Sequence, residues 1–173
     1  MRKVKTFNDR LQDGNDKEDL VKDILNLSGI QCRLNNNNNP LDIDLYLPND
    51  NLYIDVKHLK SHFDGTHYLP FLTAENNLII SLKHLKNYQK KQKKTGIKAW
   101  IAFLVDYNIN GQAIFELRYI SVDGIFKLEQ EERAVRRNIR SHNGYKTRII
   151  NLSRLDCLDT FDFFDYIKGR REL

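Results

Sequence analysis

The stretch KAWIAFLVDY (98–107) constrains this chain more than any other, because its apolar residues run without alternation from Ala99 to Val105. A half-exposed strand alternates apolar and polar side chains, so this run predicts a central strand buried on both faces. It is the longest apolar run in the sequence. It falls far short of the roughly 20 residues a spanning helix needs, so no membrane segment is expected. The following AIFELRYISV does alternate. It reads as the neighbouring strand, reached across a turn at Asn108, Asn110 and Gly111.

Elements to cover such a strand can be read on either side of it. Leu20, Val21, Ile24, Leu25 and Leu27 recur at helical spacing between Asp16, a capping residue, and Gly29, a stop. Ile30 to Leu34 reads as a short strand, and the tract Asn35 to Asn39 before Pro40 as a loop. NLIISLKHLKNYQKKQKKTG (77–96) reads as one helix, with Lys90, Lys91, Lys93 and Lys94 at the end where lysines suit the helix dipole. EQEERAVRRNIRSHNG (129–144) reads as a basic helix, YKTRIINLS as a strand, and TFDFFDYIK as an aromatic segment that closes the core or forms an oligomer contact. Helices and strands in this order predict an α/β domain around a mixed sheet.

The chemistry concentrates in a predicted hairpin. In LDIDLYL, Leu41, Ile43, Leu45 and Leu47 alternate with Asp42, Asp44 and Tyr46. In LYIDVKH, Leu52, Ile54 and Val56 alternate with Tyr53, Asp55 and Lys57, and PNDN between them is a turn. Neighbouring carboxylates repel, and a divalent cation gives their clustering a reason. Mg²⁺ prefers carboxylate oxygens and keeps several waters. Asp55 and Lys57, two apart, point the same way, which places an ammonium beside such water, to orient it, stabilise charge or accept its proton. A polar outer face of a hairpin would show the same alternation. Glu18 favours the functional reading, because it shares the inward side of the first helix with Val21 and Leu25.

The helix glutamate, then Asn39-Pro40-Leu41-Asp42, then Tyr53-Ile54-Asp55-Val56-Lys57, resembles the PD-(D/E)XK nucleases, the restriction-endonuclease-like superfamily. The resemblance covers about residues 15–122 of a single domain, 1–173, leaving a basic C-terminal extension, 123–173. It implies an αβββαβ core with a mixed central sheet flanked by helices. It implies a catalytic set of Glu18, Asp42, Asp55 and Lys57, with Asp42 and Asp55 holding Mg²⁺ (Mn²⁺ as substitute), and Asp44 competing with Asp42. Some members carry Ser-x-x-Gln on the second core helix; here Ser81 is followed by His84 in the Gln position. The implied activity is Mg²⁺-dependent endonucleolytic hydrolysis of duplex DNA, of restriction or homing type. A Holliday-junction resolvase-like nuclease and a non-catalytic DNA-binding module are the alternatives. A homodimer or homotetramer is implied as well.

An excess of 28 Lys and Arg over 23 Asp and Glu, a formal charge of +5, leans toward a polyanionic partner. Arg133, Arg136, Arg137 and Arg140 recur at i+3 and i+4 as a helical stripe, with Lys146 and Arg148 nearby, and are expected to contact DNA phosphates. His58, His62 and His67 follow no standard zinc spacing and are taken as DNA-facing or supporting groups. Cys32 and Cys157 lie in apolar stretches, as buried thiols of a reducing compartment do. The N-terminal residues lack an apolar signal segment, so a cytoplasmic protein is expected.

Overall fold

The computed structural model describes residues 7–35, 43–60, 77–109, 112–140 and 146–171. In chain order these form α1 (Phe7–Leu27), β1 (Arg33–Leu34), β2 (Leu45–Leu47), β3 (Leu52–Lys60), β4 (Asn77–Ser81), α2 (Leu82–Thr95), β5 (Lys98–Ile109), β6 (Gln112–Ser121), α3 (Val122–Gln130), β7 (Ala134–Arg140), β8 (Lys146–Ser153) and α4 (Thr160–Arg171). A five-stranded sheet runs β1-β2-β3-β5-β6, and a three-stranded sheet runs β4-β8-β7. β3 and β5 are parallel, while their other neighbours in the large sheet pair antiparallel. The fold is therefore α/β with a mixed central sheet flanked by helices.

The unbroken apolar run becomes β5, paired with β3 on one side and β6 on the other. Its residues divide alternately between two apolar layers. Ile101, Phe103 and Val105 join Leu85 of α2, Ile125 of α3, Ile80 of β4, and Ile150 and Leu152 of β8. Trp100, Ala102 and Leu104 join Val21 and Leu25 of α1 with Phe163 and Ile167 of α4. Each such side chain is worth roughly 2 kcal/mol of burial, so a strand with a layer on each side has no position to give to a polar residue. Of the segment 123–173, expected as an extension, Ile125, Leu128, Ile150 and Leu152 belong to one layer and Phe163 and Ile167 to the other.

The hairpin forms over a shorter first strand than predicted: only Leu45–Leu47 of LDIDLYL is a strand, Asp44 lies in a bend before it, and Leu41 and Asp42 lie outside the described residues. β2 and β3 pair antiparallel with Leu45 opposite Ile54 and Leu47 opposite Leu52. Asn51 turns the chain at φ 50°, a left-handed conformation that Asn tolerates better than most residues. β3 and β5 can be parallel neighbours because a long crossover, including β4 and α2, separates them. α2 is fixed at its far end by Gln92, whose side-chain oxygen accepts the Ala99 N–H at 2.6 Å and whose amide donates to Asp123 at 2.9 Å. Gly96 then ends the helix at φ 72°, its N–H donating to the Gln92 carbonyl.

Three expectations are corrected. α1 starts at Phe7, so Asp16 is interior to the helix and does not cap it. Asn77–Ser81 is a strand, because it pairs along its whole length with β8, and only Leu82–Thr95 is helical. The arginine-rich segment is also a strand. α3 ends at Gln130, Glu132 adopts φ 60°, and Ala134–Arg140 then pairs with β8. Val135 and Ile139, both β-branched, suit that strand.

Candidate active site

The hairpin register decides which side chains meet. Leu45 opposite Ile54 puts Asp44, one step further, beside Asp55 and Val56. Asp44 Oδ2 accepts the Val56 N–H at 2.7 Å, so its carboxylate occupies the place of a ladder acceptor. Asp55 is almost wholly buried, at 1% exposure, and faces α2. Its Oδ1 accepts a hydrogen bond from the Tyr88 hydroxyl at 2.6 Å. Its Oδ2 has the Lys57 ammonium at 2.6 Å as an ion-pair partner but no aligned hydrogen bond. Lys57 is 27% exposed and reaches from this pocket toward solvent.

The electrostatics tie Glu18 of α1 to the same place. Burial raises the Glu18 carboxyl above its usual range, and the negative charge of Asp55 raises it further, against the pull of Lys57. Burial first, then Asp55, pushes Asp44 up to about 8. Burial works to lower Lys57, but Asp55, Asp44 and Glu18 outweigh it and hold the ammonium above its ordinary value. Three carboxylates thus share one ammonium, and fully ionised they sum to a charge of −2. A divalent cation matches that sum. The buried Oδ2 of Asp55, lacking an aligned donor, is an oxygen such an ion could use. Among the described residues no three His, Cys, Asp or Glu side chains form a ready-made ion cage. Mg²⁺ does not require one, since one or two carboxylates plus retained waters commonly suffice.

On α2, His84 Nδ1 lies 3.2 Å from the Tyr88 oxygen. The phenol has one hydrogen and gives it to Asp55, so His84 Nδ1 carries a proton and donates to Tyr88. Burial, followed by the Lys57 charge, lowers the His84 pKa, which keeps the ring neutral. A relay from His84 through Tyr88 to Asp55 therefore holds one carboxylate oxygen in place.

Of the sequence-derived residues, Asp55 and Lys57 are in direct contact, while Glu18, and with it Asp44, is linked to them through electrostatic influence. Asp42 lies outside the described residues, as do His62 and His67. His58 pairs with Asp106 at 2.6 Å. Tyr88 was not foreseen. Its signal was a phenol on the buried stripe of α2, beside Leu85, where a hydroxyl must find a partner.

Arg133, Arg136 and Arg137 do not form a helical stripe, because strand side chains alternate between faces and Arg136 and Arg137 point apart. Arg133 pairs with Asp156, and Arg136 with Glu129. Arg140 and Lys146 are Cα partners at the last register pair of β7 and β8. Arg148 is exposed.

No protein-family model and no curated protein sequence matches the chain. Solved structures similar to it include two nucleases. D212, a nuclease from a fusselovirus, superposes with a TM-score of 0.53 at 14% identity, over 99% of this chain and 98% of that one. Hjc, a Holliday junction resolvase from Archaeoglobus fulgidus, gives a TM-score of 0.49 at 12% identity, over 88% and 96%.

Proposed function

We propose that this chain, which has the restriction-endonuclease-like fold, is a metal-dependent nuclease that hydrolyses phosphodiester bonds within DNA. The observation that supports the reading is the ion pair of buried Asp55 with Lys57, beside an Asp44 carboxylate on the Val56 N–H and within electrostatic reach of Glu18. A buried acidic cluster of this kind has no structural use that apolar residues would not serve better. Asp44 and Asp55 would hold Mg²⁺, with Mn²⁺ as substitute. Asp44 thereby takes the position that the sequence resemblance gives to Asp42. The ion would supply a polarised water and charge neutralisation at the phosphate.

The remaining roles belong to the chain itself. Lys57, 2.6 Å from Asp55, is placed to hold a water by hydrogen bond and to offset charge that builds on the phosphoryl oxygens. Glu18 orients water from the helix side. Tyr88, backed by His84, fixes the Asp55 carboxylate so that its second oxygen keeps its direction. Similarity in fold to a viral nuclease supports the reading.

Incubation with supercoiled plasmid, linear duplex and a four-way junction tests it. Cleavage of at least one of them is expected with Mg²⁺, none in EDTA, and none with Asp55→Asn or Lys57→Ala. The cut form names the substrate: linear duplex for a restriction or homing role, the junction for a resolvase role. Absence of metal-dependent cleavage in all three, or cleavage that survives both substitutions, would overturn the proposal.

A further inference from the structure

α2 has a second side, facing away from Asp55. An open groove of about 450 Å³ lies between the beginning of this helix and β8, lined by Ser81, Lys83, Lys86, Asn87, Lys90 and Arg148. Strand pairing explains the meeting. The β4–β8 register ends with Ser81 opposite Ile149, so Arg148 comes next, where the chain leaves the small sheet and turns into α2. Lys83, Lys86 and Lys90 are spaced i, i+3, i+7 and share one side of the helix.

All four cations are exposed, and among the described residues none has a carboxylate partner. Other cations differ. Arg133 and Arg136 are paired with Asp156 and Glu129, and Lys91 sits 4.6 Å over the Tyr53 ring. Like charges at helical spacing oppose one another, so a concave row of four unmatched cations calls for an external polyanion. The row has a suitable length. The seven helical rises from Lys83 to Lys90 span about 10 Å at about 1.5 Å each, and one strand of duplex DNA presents a phosphate about every 3.4 Å of axis.

We propose that this groove docks the sugar-phosphate backbone of duplex DNA, with Lys83, Lys86, Lys90 and Arg148 meeting about three consecutive phosphates. The proposal rests on the nuclease reading and adds to it a backbone contact outside the acidic cluster. Ammonium groups meet phosphates without reading base edges, so the groove positions the duplex and leaves sequence choice elsewhere. The groove and the relay to Asp55 lie on opposite sides of the same helix, α2.

The test is fluorescence anisotropy with a labelled duplex of about 30 base pairs in EDTA, across 50–200 mM NaCl, so that no cleavage intervenes. The proposal expects Lys86→Gln/Lys90→Gln to make the slope of log K against log salt shallower by about 2 and to weaken binding at least about tenfold at 150 mM, whatever the DNA sequence. Lys93→Gln/Lys127→Gln removes the same charge from exposed positions outside the groove and should stay within about twofold of the parent. Equal effects of the two double variants, or no duplex binding by the parent at 50 mM NaCl, would overturn the groove. Plasmid cleavage is read separately. Groove-dependent binding without cleavage by the parent removes the nuclease reading alone. Cleavage together with unchanged binding by the groove variant removes the groove alone.

Discussion

Replacing Asp44 by Asn should stabilise the metal-free protein while abolishing the Mg²⁺ binding proposed for it. The Asp44 carboxyl is pushed up to about 8 from its ordinary 3.8, by burial first and then by Asp55. Below pH 3.8 the group is neutral whether the chain is folded or not, and it costs nothing. As pH rises, the unfolded chain ionises while the folded protein must keep the proton. Each pH unit then costs about 1.4 kcal/mol, until the folded group also ionises near pH 8. At pH 7 the ceiling of this penalty is about 4 kcal/mol. Glu18, Asp55 and Lys57 share the same charge balance, which reduces the expected gain to about 2 kcal/mol. Asn retains a carbonyl oxygen for the Val56 N–H that Asp44 accepts at 2.7 Å, so the hydrogen bond need not be lost. Urea denaturation in EDTA between pH 4 and 8 measures the effect. The gain should be near zero at pH 4 and grow toward pH 8. Added Mg²⁺ should stabilise the parent but not the variant. A variant less stable than the parent at pH 7–8, or a gain that does not change between pH 5 and 8, would refute the reasoning.

Tyr88→Phe removes the hydroxyl that donates to buried Asp55. Cleavage or Mg²⁺ affinity should fall about 10- to 100-fold, read by plasmid nicking and by calorimetric titration with Mg²⁺, while the circular dichroism spectrum is unchanged. Burial pushes the thiols of Cys32 and Cys157 up to about 12. Because both stay protonated at pH 8, a thiol reagent should label neither in the native protein and both in about 6 M guanidinium, and native labelling within minutes would contradict their placement.

The sequence carried the central strand and the hairpin plainly, because each depends on a local pattern. The unbroken run Ala99 to Val105 pointed to a doubly buried strand, and the alternation from Leu52 to Lys57 put Asp55 and Lys57 on one side of theirs. β4 and β7 were illegible for the opposite reason. Leu78, Ile79 and Ile80 continue into a real helix, and the arginines from 133 to 140 fit helical spacing as well as strand spacing. Pairing with β8, distant in sequence from β4, decides both, and local spacing carries no trace of it. The polar start of α1, from Phe7 onward, shows no apolar stripe to announce a helix. At the site, Glu18, Asp55 and Lys57 were readable as residue types at suggestive positions. Tyr88 was not, because its role comes from the packing of α2 against β3 across a gap of 33 residues. The lysines of α2 were visible as a charge run, but Arg148 joins them only through the β4–β8 register.

That register has a consequence for synthesis. β4 leads directly into α2, and its ladder partner is β8, residues Lys146–Ser153. A ribosome-bound chain that has not yet released β8 therefore leaves the entry to α2 unanchored, and with it the tyrosine that steadies Asp55. The layer around Trp100 and Tyr119 also waits for Phe163, which stacks on Tyr119 at 4.1 Å between ring centres. The acidic cluster takes its final form only when nearly all the described elements have emerged, so a partly translated molecule carries Asp44, Asp55 and Lys57 without the packing that sets their geometry.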